Sequence, residues 1–128
     1  MKLDYLNNIN EYGDNVVRLF NFNKAEAIQF RDLVQLNLLN NQTELPLENI
    51  EFIEHKNCTL TLRLSEEDTG IITADRINFY CDLTTEGYEK MVKLMTPFCR
   101  KESKAFQMLY DIDNLTDFLF SPAGTDSL

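Results

Sequence analysis

The chain has 128 residues, 44% of them hydrophobic and 26% charged, with four glycines and three prolines; this composition suits one folded domain and excludes a disordered or low-complexity chain. Twelve basic residues against twenty-one acidic ones leave a formal charge of −9, which repels a phosphate backbone and argues against nucleic acid as a partner. No apolar run approaches the ~20 residues of a membrane-spanning helix, and the N-terminus has no signal-peptide core.

In chain order, residues 1–14 show no steady period and read as a loose lead-in. NVVRLFNF, residues 15–22, is β-branched and aromatic on both faces, as an interior strand would be. Asn23, followed three residues later by Glu26, imitates a capping box, so a helix is expected from 24 to about Asn40. Its wheel places Ala27, Phe30, Leu33, Val34 and Leu38 on one stripe and Ile28, Leu36 and Leu39 on another. One sheet cannot bury both stripes. The second is covered by loops or marks a subunit or partner interface, and self-association is one use it would have.

NIEFIEH, residues 49–55, reads as a further strand, turned by Lys56-Asn57 into one with clean alternation. There Cys58, Leu60, Leu62 and Leu64 face in, and Thr59, Thr61, Arg63 and Ser65 face out. After the loop EEDTG another strand sets Ile77, Phe79, Cys81 and Leu83 inward and Arg76, Asn78, Tyr80 and Asp82 outward. A turn centred on Thr69-Gly70 would pair the two antiparallel, with Cys58 opposite Cys81 and Leu60 opposite Phe79.

A second helix is expected from 86 to 98, with Glu86 and Glu89 acidic at its start and an apolar stripe of Tyr88, Met91, Val92, Leu94, Met95, Phe98 and Cys99. Pro97 and Arg100-Lys101 mark its end. AFQMLYDI and LTDFLFSP flank Asp113-Asn114 as two strands flank a turn, and a flexible tail follows from about 122. The fold class is therefore α+β: a mostly antiparallel sheet with two helices on one face, in the order β-α-β-β-β-α-β-β.

The motifs are weaker than the fold. YDIDNLTDFLFSP, residues 110–122, supplies oxygens at Asp111, Asp113, Asn114 and Asp117. It lacks the fifth-position oxygen ligand, the sixth-position glycine and the twelfth-position acid of a calcium loop. His55 and Cys58, with Cys81 and Cys99, could form a Cys₃His zinc set, but only one close ligand pair exists where structural zinc sites use two. Three cysteines, odd in number and each in an apolar pattern, read instead as reduced buried thiols of a cytoplasmic protein. No nucleophile elbow, phosphate loop, zinc-protease helix or dinucleotide fingerprint is present, so no catalytic residue and no cofactor is assigned.

The outward rows carry the best candidate surface. Arg63, Arg76 and Tyr80, with His55 as a further polar group, could stack or clamp a planar or anionic ligand, but Thr, Arg and Tyr are also what an ordinary solvent-facing strand prefers, and that plainer reading outweighs it. Charge is also uneven: residues 43–82 hold nine acids against three bases, and residues 90–104 hold five bases against one acid. The leading expectation is a non-enzymatic interaction module, of an inhibitor- or immunity-like kind, whose acidic surface meets a basic protein. The rival is a small-molecule-binding protein or enzyme with a polar pocket on the exposed sheet face.

Overall fold

The computed structural model describes residues 1–7, 13–112, 114 and 116–124. It is an α+β fold of two helices and two mixed sheets. In chain order the elements are β1 (Lys2–Leu6), β2 (Asn15–Phe20), α1 (Lys24–Val34) with a π-helical extension (Gln35–Asn40), β3 (Leu45–Pro46), a 3-10 turn (Leu47–Asn49), β4 (Glu54–His55), β5 (Thr59–Leu64), β6 (Gly70–Thr73), β7 (Asn78–Leu83), α2 (Thr85–Arg100), β8 (Gln107–Met108) and β9 (Thr116–Ser121). The first sheet runs β4-β1-β2-β9-β8 and the second β3-β5-β7-β6.

Local chemistry explains most of these elements. Val16, Val17 and Leu19 are buried in β2. The Asn23 side chain accepts a hydrogen bond from the Glu26 N–H, and the Glu26 carboxylate accepts one from the Asn23 N–H, so the capping box forms as expected. Ala27, Phe30, Val34 and Leu38 are fully buried along α1 and its extension. In α2 the stripe of Tyr88, Met91, Met95, Phe98 and Cys99 is buried and packs beside α1. Buried side chains from both sheets and both helices form one continuous cluster.

Several expectations need correction. Lys2–Leu6, read as part of a loose segment, is a strand paired antiparallel with β2. In residues 49–55 only Glu54–His55 forms a strand, pairing parallel with β1. Ile50 and Ile53 are buried three residues apart, a spacing that suits a turn and not a strand. Gly70–Thr73, with Gly70 expected in the EEDTG loop and the rest in no separate strand, is the strand β6, paired antiparallel with β7 at the sheet edge. Its insertion makes β5 and β7 parallel: Leu60 does face Phe79, but Cys81 faces Leu62 and not Cys58. Ile77, expected inward, lies before β7 and is 57% exposed. α2 ends at Arg100, within the Arg100-Lys101 pair expected to mark its end and two residues past the expected 98; beyond Pro97, Phe98 and Cys99 remain buried in the core.

The C-terminal hairpin is present, with β8 antiparallel to β9. Asp113 of its expected turn lies outside the described residues. Asn114 does more than turn the chain: its amide donates to the carbonyls of Thr69 (2.9 Å) and Ile71 (3.2 Å), and its oxygen accepts from the Thr116 N–H. Asn57 makes a similar link, with its side chain bonding both the N–H and the carbonyl of Tyr5. Two asparagines thus tie the second sheet to the first, and the Tyr5 and Phe79 rings meet between them at 4.7 Å.

Candidate functional site

Alternation in the second sheet decides which side chains are free to meet a partner. Leu60, Leu62, Ile71, Phe79, Cys81 and Leu83 are buried, so the alternate residues of the same strands form the opposite, open face. The register aligns Ile72 with Tyr80, Tyr80 with Thr61, and Thr61 with Pro46. One transverse row therefore crosses all four strands, Pro46–Thr61–Tyr80–Ile72, each residue half-buried or exposed.

The neighbouring row is electrostatic. Arg63 lies opposite Asp82 and holds it with two parallel hydrogen bonds of 2.7 and 2.8 Å, the fork geometry that makes such pairs specific. Its guanidinium also sits 4.0 Å from the Tyr80 ring centroid. The hydrogen bonding it donates to Asp82 is the main reason the guanidinium is held above its ordinary pKa. On the other side of Tyr80, the Thr59 hydroxyl donates to the Asn78 side chain across the β5–β7 ladder. The same device recurs in the first sheet, where Arg18 grips the opposing Asp4 and lies 3.9 Å from the Phe20 ring.

Of the four polar residues singled out by sequence, the structure joins Arg63 and Tyr80. Arg76 is in the β6–β7 turn with φ of 61°. Beside it, Asp75 accepts from the Ile77 and Asn78 N–H groups; with the Asn78 bond first and the Ile77 bond next, these pull its carboxyl down to about 2. His55 belongs to β4 of the other sheet, and its buried Nε2 has no hydrogen-bond partner among the described residues. In the second helical stripe, Ile28 and Leu39 pack partly against the core while Leu36 is 48% exposed.

The metal candidates do not converge: no three His, Cys, Asp or Glu side chains among the described residues stand close enough to share an ion. Cys58, Cys81 and Cys99 are buried free thiols. Burial, aided by the charge of Asp4, pushes Cys58 up to about 12, and burial raises Cys81 and Cys99 as well.

A cleft of about 340 Å³ that the sequence did not disclose opens on the flank of α2. Leu83, Leu94, Tyr110 and Ile112 supply apolar walls, and Asp68, Lys90, Lys93 and Asp111 add charged groups to the lining. Its residues are scattered over four segments, so only the alternation of β7 and the wheel of α2 hinted at any of them. Asp68 is fixed there because its carboxylate accepts from both the N–H (2.8 Å) and the hydroxyl (2.9 Å) of Thr84, the residue that caps α2 by accepting from the Gly87 N–H.

No family model, curated protein or solved structure matches this chain. Function has to be argued from the two surfaces just described. Among the described residues no helix is long and apolar enough to cross a membrane.

Proposed function

We propose that this chain is a single α+β domain that acts as a non-enzymatic, cytoplasmic protein-interaction module, holding a basic protein on the open face of its second sheet. The observation that carries the reading is the row Pro46–Thr61–Tyr80–Ile72, an aromatic and aliphatic strip left open across four strands. Such a strip, spread over four strands with Tyr near its centre, suits a protein surface better than a small ligand.

Electrostatics favours a basic partner. Arg63 is already neutralised by Asp82, and Glu44, Glu66, Glu67 and Asp75 are exposed in the segments that border the sheet. Those acids steer a positively charged partner and lose reach beyond the ~8–10 Å screening length of physiological salt. The commitment of Arg63 to Asp82 also weighs against the rival in which Arg63, Arg76, Tyr80 and His55 surround one small ligand. A reducing cytoplasm fits the three free thiols.

Affinity capture from an extract of the source cells tests the proposal. The immobilised chain should retain a basic protein that elutes by about 0.5 M salt. The variant Ile72→Asp/Tyr80→Ser should lose it while keeping its fold, checked by an unchanged far-UV circular dichroism spectrum. Retention of the same protein by the variant, at the same salt, would contradict the reading.

A further inference from the structure

Independently of the open sheet face, with which it shares no residue, the cleft on the flank of α2 has the features of a ligand site. Its volume, about 340 Å³, falls at the small end of the ~300–1,000 Å³ range of small-molecule pockets. Its walls are mainly apolar, and Gly87 is among the α2 residues that line it. A Cβ at Gly87 would come within 2.7 Å of the Asp68 carboxylate and 3.0 Å of Leu83, so glycine both admits the Asp68 cap and leaves that part of the lining bare. That choice costs a helix about 1 kcal/mol relative to alanine.

The charges of the lining select the ligand. Lys90 and Lys93 lie three residues apart on α2, which places them on one side of the helix. Neither is held in an ion pair among the described residues. Asp68 accepts from the neutral Thr84 groups through Oδ1 and keeps its charge, which the positive end of α2 offsets in part; Asp111 is the second acid of the lining. Two unpaired ammonium groups thus face two carboxylates, one of them held against a helix N-terminus, and the two lysines are the pair that share one side of α2. We propose that the cleft binds an amphipathic monoanion, a carboxylate with one short aliphatic or aromatic body, with the apolar body against Leu83, Leu94, Tyr110 and Ile112 and the carboxylate at Lys90 and Lys93.

Titration of the full chain with the anionic dye 1-anilinonaphthalene-8-sulfonate, followed by displacement with decanoate, decylamine and decanol, tests this. Saturable dye binding is expected, with decanoate displacing it about tenfold better than the amine or the alcohol. The variant K90Q/K93Q should bind decanoate about five- to tenfold more weakly and decanol unchanged, as loss of two exposed charges implies. Amide NMR shifts induced by decanoate should centre on Gly87, Lys90 and Ile112. Absence of saturable binding, equal or better displacement by decylamine, an unaffected K90Q/K93Q, or shifts centred elsewhere would each overturn the proposal.

Discussion

Asp75 shows how a single side chain organises the β6–β7 turn. Its carboxylate accepts from two consecutive backbone N–H groups and from the Asn78 side chain, bonds that only the ionised form accepts fully. Because its folded pKa is depressed to about 2, the contribution is present above the unfolded value near 4 and is lost as pH falls through about 2. The Ile77 and Asn78 amides should therefore lose exchange protection on acidification through that window, and Asp75→Ala should remove the pH dependence. Unchanged protection at pH 2 would contradict the assignment. At this scale the sequence was informative where alternation was clean: the inward Leu60, Leu62, Phe79 and Cys81 are all buried. It misled at Arg76 and Ile77, because the alternation was extended backward through a turn whose left-handed residue is Arg76. Nothing in a period of two reveals where a strand begins.

At the scale of elements, α2 is the informative case. Thr84 caps it, Asp68 braces the cap, and Glu86 opens it with the charge its dipole favours. Pro97 then removes the N–H that would bond the Lys93 carbonyl, yet the buried Met95, Phe98 and Cys99 carry the helix on. Pro97 is exposed, so Pro97→Ala should raise stability by roughly 1–3 kcal/mol, read as a higher urea midpoint at constant m. A lower midpoint would show that the proline shapes the packing of the last turn. Helix existence was legible from caps and wheel, and Arg100-Lys101 marked the end to within two residues, the buried Phe98 and Cys99 carrying the helix past a local breaker. Strand partners were less legible still. Gly70–Thr73 is four residues long, too short to distinguish from loop by pattern, and that omission alone turned a parallel β5–β7 ladder into an expected antiparallel one.

Over the whole molecule, the edges of both sheets are kept short: β3, β4 and β8 have two residues each, and β3 carries Pro46. The remaining edge, β6, has its Thr69–Ile71 flank bonded by Asn114. Pairing of whole strands with another chain is thereby discouraged, which leaves the face of the second sheet as the broader surface for contact. The charge asymmetry seen in the sequence becomes a direction in space. α2, about 24 Å long for its sixteen residues, has Glu86 and the loop acids Glu66, Glu67 and Asp68 at its start and Arg100 and Lys101 at its end. A basic partner would be oriented by that axis before contact. The open face was legible from alternation, since Thr59, Thr61, Arg63 and Tyr80 do share it. The cleft was not, since it needs the third dimension to bring Asp68, Gly87 and Ile112 together.

Hydroxyl-radical footprinting of the chain, alone and with its captured basic partner, tests the central claim most directly. Tyr80 and Ile72 should become several-fold less oxidised in the complex, while Phe106, which is 60% exposed and not on that face, should keep its rate. Protection of Phe106 with Tyr80 and Ile72 unchanged would contradict the claim that the open face of the second sheet is where this protein meets its partner.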